Sequence, residues 1–282
     1  AKYMDKLGWG LFSFDQEGGD GQYEFDFAYA DALTMADRVV FLRYMAKTLA
    51  KSIGAIATFM PKPFSNDFRS AAHFNMSLAD IQTGKNLFEP NPDQPGELAS
   101  RYGLNISDLA LHFVAGLLRH APALTALTCP TFNSYKGLIS QGDMPDISWA
   151  PILQTYGRNN RSAMLRLPMN RFCIENRAPD MSCNPYLAAA FSLAAGLEGI
   201  AQKLDPGVPL SGNLYDIQDS AAVARLPRTL LEALQAFETD SLVPEVLGKD
   251  FQQIYLKQKM KEWDKGFYRV CEEEREQMMT FI

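Results

Sequence analysis

Three segments of this 282-residue chain are written as strands with one apolar face and one polar or charged face, and no other feature restricts the fold as much. In HFNMSL (73–78), Phe74, Met76 and Leu78 alternate with His73, Asn75 and Ser77. Successive strand side chains point to opposite faces, so the apolar three pack from behind while the polar three share the front. GQYEFDFAYA repeats the design, with Gln22, Glu24 and Asp26 opposed to Tyr23, Phe25 and Phe27. In RFCIENRAP, Glu175 and Arg177 stand two apart and therefore on one face. His73 uses one of only three histidines in the chain, so its place on a polar face needs a chemical reason.

Around these strands, apolar spacing predicts a helix over 31–52, carried by Met35, Val39, Leu42, Ala46, Leu49 and Ile53 and stopped by Gly54. Segments 56–59 and 71–79 read as strands flanking a proline-rich loop. Ser107 is expected to cap a helix that buries Leu109, Ala110, Phe113, Val114, Leu117 and Leu118. His112 lies off that stripe and His120 at its end, so both are read as structural. A long loop is predicted over 142–160, a length often tied to function, then two strands, a largely apolar buried helix over 184–204 and a charged amphipathic helix over 250–279.

Apolar residues make up 47% and charged residues 21%, the composition of a soluble globular protein. A net charge of −6 gives no electrostatic reason to expect nucleic acid or an anionic membrane as partner. Cys129, Cys173, Cys183 and Cys271 form no CxxC or Cys/His cluster, which argues against a zinc or disulfide scaffold and fits a reducing cytoplasm. The longest uncharged helical run is too short to span a bilayer. The chain opens AKYMDKLGWG without an initiator methionine, so upstream sequence is expected.

The polar faces carry a recognisable set of groups. Glu17 and Glu24 flank GGDG, whose glycines break the strand and let the two carboxylates fold towards one point. Carboxylates plus one imidazole, on separate strands, suit Mg²⁺ or Mn²⁺. Arg161, Arg166 and Arg177 suit phosphate oxygens. Cation plus arginines is the equipment of phosphoryl transfer, where positioning and charge neutralisation carry the catalysis. Acids and arginines on strand faces also pair with each other for structure alone, so the pattern by itself reads as a metal–phosphate site with that alternative open.

Longer motifs go further. ATFMPKPF followed by His73, Asn75, Ser77 and Leu78, then NSYKGL, NRSAMLRLP, IENRAPD with NPYLAAAFSLAAGLEGI, and LDPGVPLSGNLYD resemble, in order and spacing, the catalytic domain of the glutamine synthetase superfamily. SWAPILQTYGRNNRSA and PDMSCNPYLA look most like the branch of γ-glutamylmethylamide synthetases and type III synthetases. The resemblance implies an α+β catalytic domain over 1–282, in which a curved antiparallel sheet forms the active-site funnel and helices pack outside. The family's β-grasp domain and the start of its catalytic domain are expected upstream. It implies an ATP-dependent carboxylate–amine ligase working through an acyl phosphate, assembled as a homo-oligomeric ring in the cytoplasm. The substrates so implied are glutamate and an amine such as methylamine; ammonia, another acid, a released acyl phosphate and a non-catalytic scaffold are the alternatives. By position, Glu17 and Glu24 match the ligands of one metal ion, and His73 with Glu175 those of another. Ser77 matches a nucleotide contact, Arg161 and Arg166 match phosphate-holding arginines, and Arg177 matches the arginine that meets the reacting carboxylate. Asp143 falls roughly where an acid closes the site and accepts the amine's proton. Tyr215 matches a tyrosine adenylylated in some bacterial relatives, although an ordinary loop tyrosine is the preferred reading.

The departures concern the amino-acid end of the pocket. Phe68 and Arg69 replace an Asn-Gly pair, Asn75 replaces a histidine, Gly137 stands where an arginine binds the substrate's α-carboxylate, and Cys173 replaces an arginine that has Arg171 nearby. Either Arg69 supplies the missing guanidinium from another direction, or the acid is not glutamate.

Overall fold

In the computed structural model the described residues are 1–145, 147–217 and 223–281. After a short helix α1 (Lys2–Lys6), the chain makes an antiparallel hairpin, β1 (Leu11–Gln16) with β2 (Tyr23–Phe27), pairing Phe14 with Phe25 and Asp15 with Glu24. Helix α2 (Ala32–Ser52) follows; Asp31 caps it by accepting from the Thr34 amide at 3.0 Å, and Gly54 takes the left-handed φ of +73° beyond its end. Leu42 packs with Met4 and Trp9 behind the hairpin, while Leu33, Val40, Phe41 and Tyr44 stay exposed. Ile53, expected on the buried stripe, is instead the C-cap residue just past the end of α2 and is 80% exposed.

The main sheet has the order β3 (Phe74–Met76), β6 (Ile174–Asn176), β5 (Leu165–Leu167), β4 (Tyr156–Arg158). It is antiparallel from β3 to β5, and β4 joins the edge in parallel with β5. The predicted strand at 71–79 therefore reduces to three residues, with lone bridges from Ala71 to Asp180 and from Ala79 to Asn86 at its ends. Segment 56–59 forms no strand. The predicted loop over 142–160 ends earlier than expected, since Tyr156–Arg158 is β4.

Behind the sheet lie α3 (Glu97–Arg101), α4 (Asp108–Arg119), α5 (Ala121–Thr128), α6 (Pro185–Ala201), α7 (Leu230–Thr239), α8 (Leu242–Leu247) and α9 (Lys249–Phe267). A single C-terminal helix was predicted; the chain breaks instead at 268–271, before α10 (Glu272–Phe281). Ser107 caps α4 through the Ala110 amide at 3.2 Å, and Asn184 caps α6 through the Tyr186 and Leu187 amides. One core joins the two layers: Ile174 and Leu165 from the sheet meet Phe113, Leu117, Phe191 and Phe237 from the helices. None of the described helices is long and apolar enough to cross a membrane.

Both off-stripe histidines are structural. His112 Nδ1 meets the Leu204 carbonyl at 2.7 Å. His120 is buried with Nδ1 2.7 Å from Asp240 Oδ2 and Nε2 2.7 Å from Glu198 Oε2, so both ring nitrogens donate only in the imidazolium form. Burial opposes that charge, but the two carboxylates prevail and raise the His120 pKa. A group whose folded pKa is raised stabilises fully below its unfolded value, near 6.5, and loses that contribution as pH rises through the folded value. His120→Gln is therefore expected to cost about 2 kcal/mol at pH 6 and distinctly less at alkaline pH. Urea unfolding of both proteins at the two pH values checks this.

Candidate active site

The register of the main sheet builds the site. Asn75 pairs with Glu175, Glu175 with Arg166 and Arg166 with Gly157, so one row of residues crosses all four strands on the same face. Glu175 is 2% exposed and sits at the centre. Its Oε1 accepts from Arg177 Nη1 at 2.5 Å and its Oε2 from Arg166 Nη1 at 2.6 Å, with Arg171 Nη2 3.5 Å from Oε2. Three guanidiniums around one carboxylate leave a positive surplus facing the open side of the sheet. An anion with several oxygens, such as a polyphosphate, is what such a surplus suits.

Each guanidinium is aimed by a second contact. Asn159 Oδ1 accepts from Arg166 Nε at 3.1 Å and Nη2 at 2.7 Å; Arg177 Nε donates to the Arg161 carbonyl at 2.8 Å; Arg171 Nη2 donates to Asn75 Oδ1 at 3.0 Å. Asn159 adopts φ +49° and Trp149 φ +54°. Asparagine tolerates that region, whereas a bulky residue there is a strained exception of the kind that clusters at functional sites. Trp149, Asn159, Asn160 and Arg161 line an open cleft of about 510 Å³ with Ser211 and Gly212.

His73 Nδ1 lies 3.7 Å from Glu175 Oε1. Burial pushes its pKa well down, and the charges of Arg177, Arg69, Arg166 and Arg161 push the same way. The ring is thus neutral, the form that ligates a metal.

The second acidic group comes from the hairpin. Its turn closes through Glu17 N to the Gln22 carbonyl at 2.9 Å, with Gly21 at φ +67°, and brings Glu17 against Glu24. A hydrogen bond between the two carboxyl groups, then burial, then the Asp26 charge push Glu24 up to about 8. Two carboxyls this close retain a proton unless a cation takes its place. Phe68, one of the departures noted above, is wedged under this turn: a Cβ on Gly18 would lie 2.8 Å from its ring.

Two pairs of donors result, Glu17 with Glu24 and His73 with Glu175. Among the described residues no three His, Cys, Asp or Glu side chains converge on one point. Two protein ligands per ion fit Mg²⁺ or Mn²⁺, which keep waters and phosphate oxygens in their remaining positions, and the protonated carboxyl pair has the charge deficit a cation would fill.

The remaining residues are placed as follows. Ser77 is exposed just beyond β3. Asp143 is exposed on the loop that follows Gly137, with its charge felt at buried Lys62. Tyr215 is buried and donates to the Ala150 carbonyl at 2.6 Å, and burial pushes its hydroxyl up to about 12. Sequence reading gives no sign of Asn159 or Trp149, and it places Asp26 on the polar face without a role; burial raises that carboxyl against the pull of Arg171. Asp26 shares the Glu24 face and was within reach of the alternation; the two positive-φ residues carry no sequence signal.

Comparison with known proteins agrees with this picture. Residues 1–278 match the family model described as glutamine synthetase, catalytic domain. The chain is 41% identical to a glutamate–methylamine ligase of Methyloversatilis universalis, across all of this chain and 62% of that protein. It is 38% identical to a glutamine synthetase of Rhizobium meliloti, over 93% of this chain and 58% of that one. A solved GmaS–ADP complex superposes with a TM-score of 0.88 at 38% identity, covering 99% of this chain and 62% of that one; ligand-free GmaS gives 0.85 at 39%. The chain thus spans about three-fifths of the length of these relatives.

Proposed function

The chain belongs to the glutamine synthetase family, through its catalytic domain, and from that premise we propose that it is the catalytic part of an ATP- and Mg²⁺/Mn²⁺-dependent ligase joining a carboxylic acid to ammonia or an amine. Glutamate with an amine such as methylamine is the preferred pair, a preference supported by the 41% identity to a glutamate–methylamine ligase. The observation that carries the reading is the Glu175 cluster, in which three guanidiniums share one buried carboxylate beside a neutral imidazole.

In this reading Arg161, Arg166 and Ser77 hold the nucleotide, while Arg177 meets the acid's reacting carboxylate. The γ-phosphoryl group passes to a carboxylate oxygen and ADP leaves; the amine nitrogen then forms the C–N bond, phosphate leaves, and Asp143 takes the nitrogen's proton. Glu17 with Glu24, and His73 with Glu175, would hold the two cations, which would supply charge neutralisation on the phosphates. A homo-oligomer is supported by the apolar side chains left exposed on the hairpin and α2, Phe12, Phe14 and Tyr23 with Val40, Phe41 and Tyr44. Free cysteines fit the cytoplasm.

The test uses full-length protein with ATP and either cation, glutamate against a panel of other acids, and ammonia, methylamine or larger amines as nucleophile. Amide formed with release of ADP and phosphate is the expected result. Binding of metal and nucleotide without turnover on any acid would favour the scaffold reading. The cation sites have a separate readout. Mn²⁺ at about 100 times its Kd should add roughly 2.7 kcal/mol of stability, and Glu24→Ala should remove most of that gain in a thermal melt.

A further inference from the structure

Arg69 is a buried cation for which the described residues form no ion pair. Its side chain is only 5% exposed, in the segment joining the proline-rich loop to β3. Nη2 donates to the Ala178 carbonyl at 2.7 Å and to the Pro179 carbonyl at 2.8 Å, both neutral acceptors. Nε and Nη1 are enclosed and have no hydrogen-bond partner. An arginine cannot shed its proton to relieve burial, and an enclosed charge is costly unless an opposite charge meets it. The guanidinium belongs to the active-site wall: the Arg69 carbonyl accepts from Gln22 Nε2 of the Glu17–Glu24 hairpin at 2.7 Å, and the two carbonyls that hold its side chain follow Arg177 directly in the chain.

Its stem explains a second oddity. A Cβ built on Gly137 would lie 3.0 Å from Arg69 Cβ and 3.5 Å from its Cδ. Gly137 has an ordinary φ of −101°, so glycine is used there for space and not for conformation. The two positions compete for one volume, and Arg69 occupies it.

Resting on the ligase reading, we propose that Arg69 pairs with the second, non-reacting carboxylate of a dicarboxylic acid substrate, and that bare Gly137 is what gives it room. A substrate carboxylate that displaces the groups now enclosing Nε and Nη1 would satisfy both together, since a guanidinium edge and a carboxylate match as a two-pronged pair. The competing account is a structural one, in which Arg69 offsets Asp180, itself buried with Oδ2 unpartnered.

The two accounts separate on substrates that differ by one group. Full-length protein with ATP, Mn²⁺ and methylamine is given L-glutamate or 4-aminobutyrate, which keeps the γ-carboxylate and lacks the α-carboxylate. Wild type is expected to prefer glutamate in kcat/KM by on the order of 100-fold, the loss typical of an unpaired buried charge. Arg69→Met should erase most of that preference by lowering glutamate turnover, with 4-aminobutyrate and the KM for ATP little changed. The exchange Arg69→Gly with Gly137→Arg should regain part of the glutamate activity. Equal losses on both acids, or a wild type that does not discriminate, would overturn the assignment. Should Arg69→Met not fold, Gly137→Ala presses on the same stem and must raise the KM for glutamate selectively. If wild type makes no amide from any acid, the ligase reading fails; if it makes amide without this discrimination, only the role of Arg69 does.

Discussion

Glu175→Gln is expected to destabilise the protein by about 3–5 kcal/mol and to abolish turnover, a loss of at least about 10³-fold in kcat. The cause is local charge. Among the described residues Glu175 is the single carboxylate at hydrogen-bonding distance from Arg166 and Arg177, with Arg171 3.5 Å away, and it is almost wholly buried. Glutamine keeps the size and removes the charge, so the guanidiniums repel one another in a poorly solvated site. At roughly 2–4 °C per kcal/mol for a domain near this size, the melting temperature should fall by about 6 °C or more. Added inorganic phosphate should stabilise the variant more than the wild type, because an anion can then occupy the vacated role. A variant as stable as wild type would mean that the arginines are already solvated and that the cluster is not held by its carboxylate.

What could be read beforehand follows from which interactions are local. Alternation placed His73 and Asn75, and Glu175 and Arg177, on polar faces correctly, because strand geometry fixes that without knowledge of neighbours. It could not give the register that lines up Asn75 with Glu175 and Arg166, since β3 pairs with a strand 100 positions away, Asn75 opposite Glu175. Segment 56–59 looks like a strand and is none, for want of a neighbour to pair with. Collinear motifs identified the fold, yet they carried no sign of the left-handed turns at Trp149 and Asn159 that shape the cleft. Nor did composition show that the Arg69 stem fills the space beside Gly137. That relation exists only once two loops meet.

The second large effect concerns how the helices bring the sheet's rear face into the core. Gly199→Ala is expected to destabilise by at least about 3 kcal/mol, the upper end for an overpacked site, even though alanine is the better helix former by about 1 kcal/mol. Helices α4 and α6 touch backbone to backbone. A Cβ on Gly199 would lie 2.1 Å from the His112 carbonyl oxygen and 2.6 Å from the Gly116 nitrogen, and one on Gly116 would lie 2.0 Å from the Ala195 carbonyl oxygen. These neighbours are main-chain atoms inside helices and cannot rotate aside, so the pair must separate. Separation would loosen Phe113 and Phe191, which line the common core with Leu165 and Ile174 from the catalytic sheet. Gly266→Ala in α9 is the internal control: its Cβ would meet the ring of Phe132 at 2.7 Å, a side chain free to turn, so the cost there should be less than half as large. Gly116→Ala and Gly199→Ala combined should cost less than the sum of the two, because one displacement of the helices relieves both clashes. Urea denaturation of the three single variants and the double variant measures all of this, and equal costs for Gly199→Ala and Gly266→Ala would contradict a backbone-limited contact.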